Sequence, residues 1–432
     1  MTSGGHLDQF AVPHRDQSRR RLRPCQERNQ LMSRTPDLDT MFRSPENIPV
    51  GESVIRGMTR ACQTANAVNL AQGIPSYPLP SSLAEAAVAA IRSNDNQYTS
   101  PRGSEQFLQA ISEFEQRRWN MPEPYDPETQ ICVTCGATEG MLAALLAVAE
   151  RGSNVIIVEP AYESYAVNLR LIGVEARYVQ LKGPDWELDP AAVAAVADRN
   201  TRAVIVNSPH NPTGRVFTRD ETQGLADVCQ RLGIVVIHDA IYDELYFTSE
   251  RPARISDVPG MEQQSITINA LSKMFSVTGW RVGWVTGAQN LMERVARVHD
   301  FLTIAAPSPF QAAGVAALSL PESYFDELRD VYRRRRDILV NGLEKCGIEF
   351  QRPAGAYYVM CDATSFALRG EEESQLVQRL LREGGVGVVP GQCFYGSTDR
   401  TRPPQIRIAF AKGEDTVAEG VRRLHSYLSV NQ

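Results

Sequence analysis

The chain has 432 residues, 43% of them hydrophobic and 22% charged, with a formal net charge of −6. That length calls for two domains, or one large domain with a smaller companion, and the composition is that of an ordinary globular protein with a substantial core. No apolar run approaches the roughly 20 residues that span a bilayer, and the acidic balance opposes general nucleic-acid binding, so a small-molecule partner is expected.

Residues 1–45 are polar and Arg-rich, with Arg19, Arg20, Arg21 and Arg23 in one run, and they show no helical or strand periodicity. They read as a disordered extension, a basic arm for an acidic partner being the alternative. They hold no apolar core for a secretory signal, and Asp8, Asp16 and Glu27 oppose a transit peptide. Eight cysteines are scattered without a dense framework, the pattern of a reducing, cytoplasmic compartment. Cys132 and Cys135 form a C-x-x-C, but in a strand-like run with no second pair beside it, and so read as buried strand rather than a metal or redox site.

From about residue 46 the sequence becomes globular. The run Asn69 to Pro75 ends in a Gly/Pro turn, where backbone at Gly73 can approach a ligand closely. Helices are expected at 82–91 and 104–117, with a loop at 97–103 between them. Strand and helix then alternate: strand 131–134, a Gly turn at 136–140 and a helix to about 149; strand 154–158 and a helix to 171; strand 174–179; helix 190–198; strand 203–207; helix 219–231; and strand 234–237, running into His238 and Asp239. Val/Ile runs without polar alternation, separated by helices, describe strands buried on both faces of a mainly parallel sheet. Beyond about 315 the pattern becomes that of a smaller α+β domain. It has a long helix at 323–343 whose Arg333 to Arg336 run reads as a solvated face, an alternating segment at 355–360, a helix at 372–383 and strands at 386–389 and 405–410.

Ligand sites in parallel sheets lie at the carboxyl ends of the strands, and Thr138, Tyr162, Asn211, Asp239 and Lys273 each follow a hydrophobic strand there. Of the 45 lysines and arginines only four are lysine: Lys182, Lys273, Lys345 and Lys412. A lysine amine, unlike a guanidinium, can lose its proton in a low-dielectric pocket and attack a carbonyl. Leu271 and Met274 would desolvate Lys273 for that use; the alternative is a solvent-facing lysine on an amphipathic segment. A carbonyl cofactor with a phosphate and a ring nitrogen would employ the whole polar set.

Four segments carry a resemblance: Ser272-Lys273-Met274-Phe275-Ser276-Val277-Thr278-Gly279-Trp280-Arg281, His238-Asp239-Ala240-Ile241-Tyr242, Pro209-His210-Asn211-Pro212-Thr213-Gly214 and Gln405-Ile406-Arg407-Ile408-Ala409-Phe410-Ala411. Through them the chain, from about 46 to 428, resembles the fold-type I pyridoxal-phosphate enzymes of the class I/II aminotransferase family, and is similar in pattern to the kynurenine/glutamine/methionine branch. The resemblance implies that Lys273 is the Schiff-base and proton-transferring lysine and that Asp239 partners the ring nitrogen. Tyr242 and Asn211 would hold the ring hydroxyl and Tyr162 would stack on the ring. Gly136, Ala137, Thr138, Ser272 and Arg281 would take the phosphate, together with Tyr98 reaching from a neighbouring subunit. Arg407, with Asn211 and Gly73, would receive the substrate α-carboxylate.

The same resemblance implies an α/β fold with residues 46–74 packing on the small domain, a large cofactor domain at 75–314 and a small domain at 315–432. It also implies a homodimer with shared active sites that moves an amino group between an amino acid and a 2-oxo acid, with no metal, nucleic acid or membrane partner. Departures at Ala240, at Ala270 and at residues 73–77 keep a second enzyme class open: a pyridoxal-phosphate lyase, β/γ-replacement enzyme, oxidase or carbon–carbon bond-forming enzyme of specialised metabolism. A DNA-binding regulator of this fold would need a longer head, and a dehydrogenase would need G-x-G-x-x-G opening a βα unit. No second arginine can be assigned to a side-chain carboxylate from sequence, so a glutamine-, methionine- or aromatic-like donor is expected.

Overall fold

The computed structural model describes residues 52–93, 96–397 and 401–431. The extension expected at 1–45 lies outside the described residues. Twelve strands occur among them: β1 Val68–Asn69, β2 Ile131–Thr134, β3 Asn154–Glu159, β4 Glu175–Gln180, β5 Thr201–Asn207, β6 Val235–Asp239, β7 Ser265–Ala270, β8 Gly283–Gly287, β9 Tyr358–Asp362, β10 Val386–Gly387, β11 Val389–Pro390 and β12 Gln405–Ala409. Seven of these form one sheet in the order β2-β8-β7-β6-β5-β3-β4. Only β8 runs antiparallel to its neighbours, pairing with β2 on one side and β7 on the other.

Strand side chains alternate between two buried faces. Val155, Ile157, Ala203 and Ile205 pack with the helices Ala137–Val148 and Gln289–Thr303. Ile156, Val158, Val204 and Val206 pack on the other side with the helix Arg219–Leu232. Both faces are buried, which is why these strands carry no polar alternation. In the parallel register Asn207 lies beside Asp239, and Asp239 beside Ile268, so the carboxyl ends of β5, β6 and β7 open on one rim.

A second sheet, β11-β12-β9, is antiparallel. The chain expected as one strand at 386–389 divides: β10 pairs with β1 and β11 with β12. The helix Val54–Ala65 buries Met58, Ala61 and Cys62 in the same core as Leu376, Val386 and Phe410. The long helix is Glu322–Lys345, and its arginine run is only half solvated. Arg335 is buried, donates from Nη1 to the Ala411 carbonyl at 3.1 Å and lies over the Tyr332 ring. Arg336 covers Phe247 and reaches the Pro353 carbonyl at 3.3 Å. A guanidinium can cover apolar surface while its N–H groups cap carbonyls, so four consecutive charges are no guarantee of solvent.

Candidate active site

One cavity of about 530 Å³ opens at that rim. Lys273 enters it from the helix Leu271–Met274, which begins where β7 ends, between buried Leu271 and Met274. Its amine donates to the Gly73 carbonyl at 3.1 Å, and the same carbonyl accepts the Tyr357 hydroxyl at 2.8 Å. Burial, helped by the positive charges of Arg281 and Arg407 and opposed by Asp239, holds the amine down to about 8. A neutral, nucleophilic amine is therefore available near neutral pH.

Asp239 is the last residue of β6 and is almost fully buried. Burial pushes its carboxyl up. Opposing that, Oδ2 accepts the Tyr165 hydroxyl at 2.6 Å and Oδ1 the Ile241 amide at 3.2 Å. The turn that follows is anchored by buried acids: Asp243 is paired with Arg254, and Glu244 accepts from Arg118, Arg251 and Arg329. Ala240, at the position of one sequence departure, is fully enclosed, and its methyl side chain offers no polar group.

Arg407 comes from the middle of β12 and is also buried. Nη1 donates to Oδ1 of Asn211 at 2.9 Å and Nη2 to the Ala71 carbonyl at 2.7 Å, while the Tyr358 ring lies 4.2 Å from its guanidinium carbon. Among the described residues its Nε has no partner, an unmet donor on a cation that lines the cavity. A carboxylate is the ligand that suits such a guanidinium. Asn211 is itself fixed by its amide, which donates to the side chain of Asn207 at 2.7 Å.

The turn from β2 into the helix Ala137–Val148 supplies an anion cradle. Gly136 sits at φ +78°, and a Cβ there would stand 2.3 Å from Nη2 of Arg281. Glycine thus lets the guanidinium lie against the helix start, whose first amide N–H groups have no partner within the helix and suit an anion. Ala137, Thr138, Ser272 and Arg281 all line the cavity there. The Tyr162 phenol, pushed up to about 12 by burial and by Glu163, is uncharged, and Tyr242 meets the Tyr358 hydroxyl at 3.1 Å.

Of the residues singled out in the sequence, Gly73, Ala137, Thr138, Tyr162, Asn211 and Asp239 line this single cavity, as do Tyr242, Ser272, Lys273, Arg281 and Arg407. Gly136 stands behind it, against Arg281. Tyr98 does not reach it: the residue is 76% exposed on the surface of the same chain. Sequence reasoning missed Tyr165, Asn207 and Tyr358, and also Ser53, Arg56 and Glu163 at the mouth. Asn207 carried a signal, being the polar end of a buried strand. The others are brought in by tertiary packing alone.

The class I and II aminotransferase model matches residues 65–424. The chain is 34% identical over 385 residues to a probable N-succinyldiaminopimelate aminotransferase of Mycobacterium tuberculosis, covering 87% of this chain and 96% of that protein. It is 31% identical over 392 residues to a kynurenine–oxoglutarate transaminase of Dictyostelium discoideum, covering 82% and 88% of the two chains. The solved structure of the Mycobacterium tuberculosis N-succinyldiaminopimelate aminotransferase superposes with a TM-score of 0.84 at 33% identity, over 88% of this chain and 98% of that one. An Escherichia coli structure with a methionine aminotransferase function gives 0.83 at 28%, over 89% and 99%.

Proposed function

Because the chain belongs to the class I and II aminotransferase family, we propose that its cavity holds pyridoxal phosphate and that Lys273, Asp239 and Arg407 work on a substrate bound there. The enzyme moves an amino group between an amino acid and a 2-oxo acid. The observation that carries the residue roles is the convergence of Lys273, Asp239 and Arg407 on one cavity at the carboxyl ends of the strands.

The residues fit the cofactor. Ala137, Thr138, Ser272 and Arg281 offer amides, hydroxyls and a cation to a phosphate, with Gly136 seating Arg281 behind them, and the buried Asp239 carboxylate calls for a positive partner. When bound, the cofactor supplies a carbonyl for the amine and a ring that accepts the electron pair left by the α-proton. Asp239 keeps a proton on the ring nitrogen, a task that its two hydrogen-bond donors assist by favouring its anionic form. Asn211 and Tyr242 stand ready for a ring hydroxyl and Tyr162 for the ring face. Arg407 grips the substrate α-carboxylate, and the Lys273 amine takes the proton from Cα and returns it as general base and acid. Tyr98 is assigned to the phosphate of a second subunit, which makes the enzyme a homodimer. The cytoplasm, a reducing compartment, suits the seven unpaired cysteines of the described residues.

The test is to incubate the protein, loaded with pyridoxal phosphate, with a panel of amino acids and 2-oxo acids and to analyse products by mass spectrometry. At least one donor should generate pyridoxamine phosphate and its 2-oxo acid. Release of ammonia, of a leaving group or of a coupled product, with no pyridoxamine phosphate from any donor, would move the enzyme to the second class.

A further inference from the structure

Six charged residues line the cavity: Lys273, Arg281, Arg407, Asp239, Arg56 and Glu163. The proposed function occupies the first four. Arg56 and Glu163 remain, and they differ in how free they are. Arg56 lies in the first turn of the helix Val54–Ala65, whose N-cap Ser53 and second residue Ile55 also line the cavity. The positive end of that helix therefore adds to the guanidinium charge at the mouth.

Two acids stand near Arg56, and both are engaged. The Glu52 carboxylate, whose ionisation is favoured by Arg60 first and then by Arg56, is held by both terminal nitrogens of Arg60. Glu163 accepts the Ser53 hydroxyl at 2.5 Å through Oε1. Among the described residues Arg56 forms no ion pair, and its side chain makes no hydrogen bond. An exposed arginine without an acid partner is ordinary on a protein surface; one at the mouth of a cavity whose inner arginine awaits a carboxylate is placed to meet the far end of the same ligand.

We infer that Arg56 is the side-chain specificity residue, binding the second carboxylate of a dicarboxylic amino donor or 2-oxo acid whose α-carboxylate rests on Arg407. This rests on the proposed function for the role of Arg407. It replaces the expectation of a neutral or aromatic side chain, because the arginine missing from the sequence motifs is supplied by a helix more than 300 residues distant along the chain from Arg407. Glu163 bounds the preference: its charge opposes an anion at the mouth, so the carboxylate must sit on the Arg56 side.

Unreactive ligands separate this inference from the reading it rests on. Calorimetric titration of the full-length protein loaded with pyridoxal phosphate would compare succinate, glutarate, adipate and pimelate with monocarboxylates of equal carbon number. At least one dicarboxylate should bind about tenfold or more tightly than its monocarboxylate, the scale of one charged hydrogen-bonded pair. Arg56→Gln should bring that ratio to within about twofold while leaving monocarboxylate affinity unchanged, which also shows that the variant is folded. Equal affinities in the parent protein, or a preference that survives Arg56→Gln, would overturn the inference. If the Arg56-dependent preference is present but no donor yields pyridoxamine phosphate, the subsite stands and the transamination reading falls; the reverse outcome removes the subsite alone.

Discussion

The Tyr165 hydroxyl donates to Oδ2 of Asp239 at 2.6 Å, joining the helix Ser164–Ile172 to the end of β6 beneath the cavity. Tyr165 is buried and its ring meets Tyr162 edge-on at 5.9 Å, so the residue assigned to the cofactor ring and the one assigned to its nitrogen share a single support. Burial raises the Asp239 carboxyl; the Tyr165 hydrogen bond is the largest influence in the opposite direction, followed by the Ile241 amide and Lys273.

Tyr165→Phe should therefore raise the Asp239 carboxyl further. Asp239 acts as an anion, so activity falls as pH drops through its titration, and the acid limb of the kcat profile should move to higher pH in the variant. At neutral pH the loss should be about tenfold, equivalent to about 1.4 kcal/mol of barrier. Asp239→Ala should bind the cofactor yet lose more. A kcat within about threefold of the parent for Asp239→Ala, well under 1 kcal/mol, would remove both residues from the mechanism.

The second prediction concerns the amine. With Lys273 held down to about 8, its ammonium form dominates below that pH and the neutral amine above it. The rate at which cofactor-free protein captures pyridoxal phosphate should rise about tenfold per pH unit below 8 and level off above it, because only the neutral amine attacks. Lys273→Ala should keep its fold and lose turnover. Borohydride reduction followed by peptide mass analysis should find the cofactor on Lys273. Lys412 is the informative control, since burial lowers it too, yet it does not line the cavity. Cofactor on Lys182, Lys345 or Lys412 would refute the assignment.

The parallel sheet was legible because its signal is local. Val155 to Val158 or Ala203 to Val206 are apolar on both faces, and each run ends in a polar residue that marks the rim. The strand-end residues Asn211, Asp239 and Lys273 are likewise carried by short motifs. What escaped notice is what packing assembles. Tyr165 is one turn beyond Tyr162 on a helix with nothing in its spacing to say that it faces Asp239. Arg56 stands in a helix that carries no motif, and Arg335 looks like its solvated neighbours until the helix is set against Ala411. The helices Gln289–Thr303, Ser308–Leu318 and Glu414–Asn431 also lie where no site motif drew attention to them.

Gly136 gives a third test, of the cradle. Alanine there must adopt φ near +78°, which costs an L-residue about 1–2 kcal/mol, and its Cβ would push the Arg281 guanidinium away from the helix start. Gly136→Ala should lower the denaturation midpoint and weaken pyridoxal phosphate by about tenfold or more, as expected when a charged hydrogen-bond donor is displaced. Gly279→Ala serves as the control, since nothing lies within 4 Å of a Cβ at that position. Equal effects from the two substitutions would show that Gly136 has no special part in seating Arg281.

The last prediction turns on Tyr98, a large residue that is 76% exposed although its loop is held at both sides. Ser308 donates to the Gln97 carbonyl at 2.7 Å and Gln311 to the Thr99 hydroxyl at 3.2 Å, so the phenol is presented outward from a fixed base. If it completes the phosphate site of a second copy, the protein is a two-fold dimer and each site needs both chains. Tyr98→Phe should weaken the cofactor, and Lys273→Ala should be inactive. When the two are mixed and reassociated at a cofactor concentration too low for Tyr98→Phe alone, each hybrid dimer has one site with both lesions and one with neither. Half the dimers are then hybrids, so activity should recover to about one quarter of the parent value, by the statistics of a two-fold assembly. If Tyr98 instead served its own chain, every hybrid site would carry one lesion and nothing would be recovered. A mixture no more active than its components, or a fully active monomer by light scattering, would therefore place Tyr98 outside the active site.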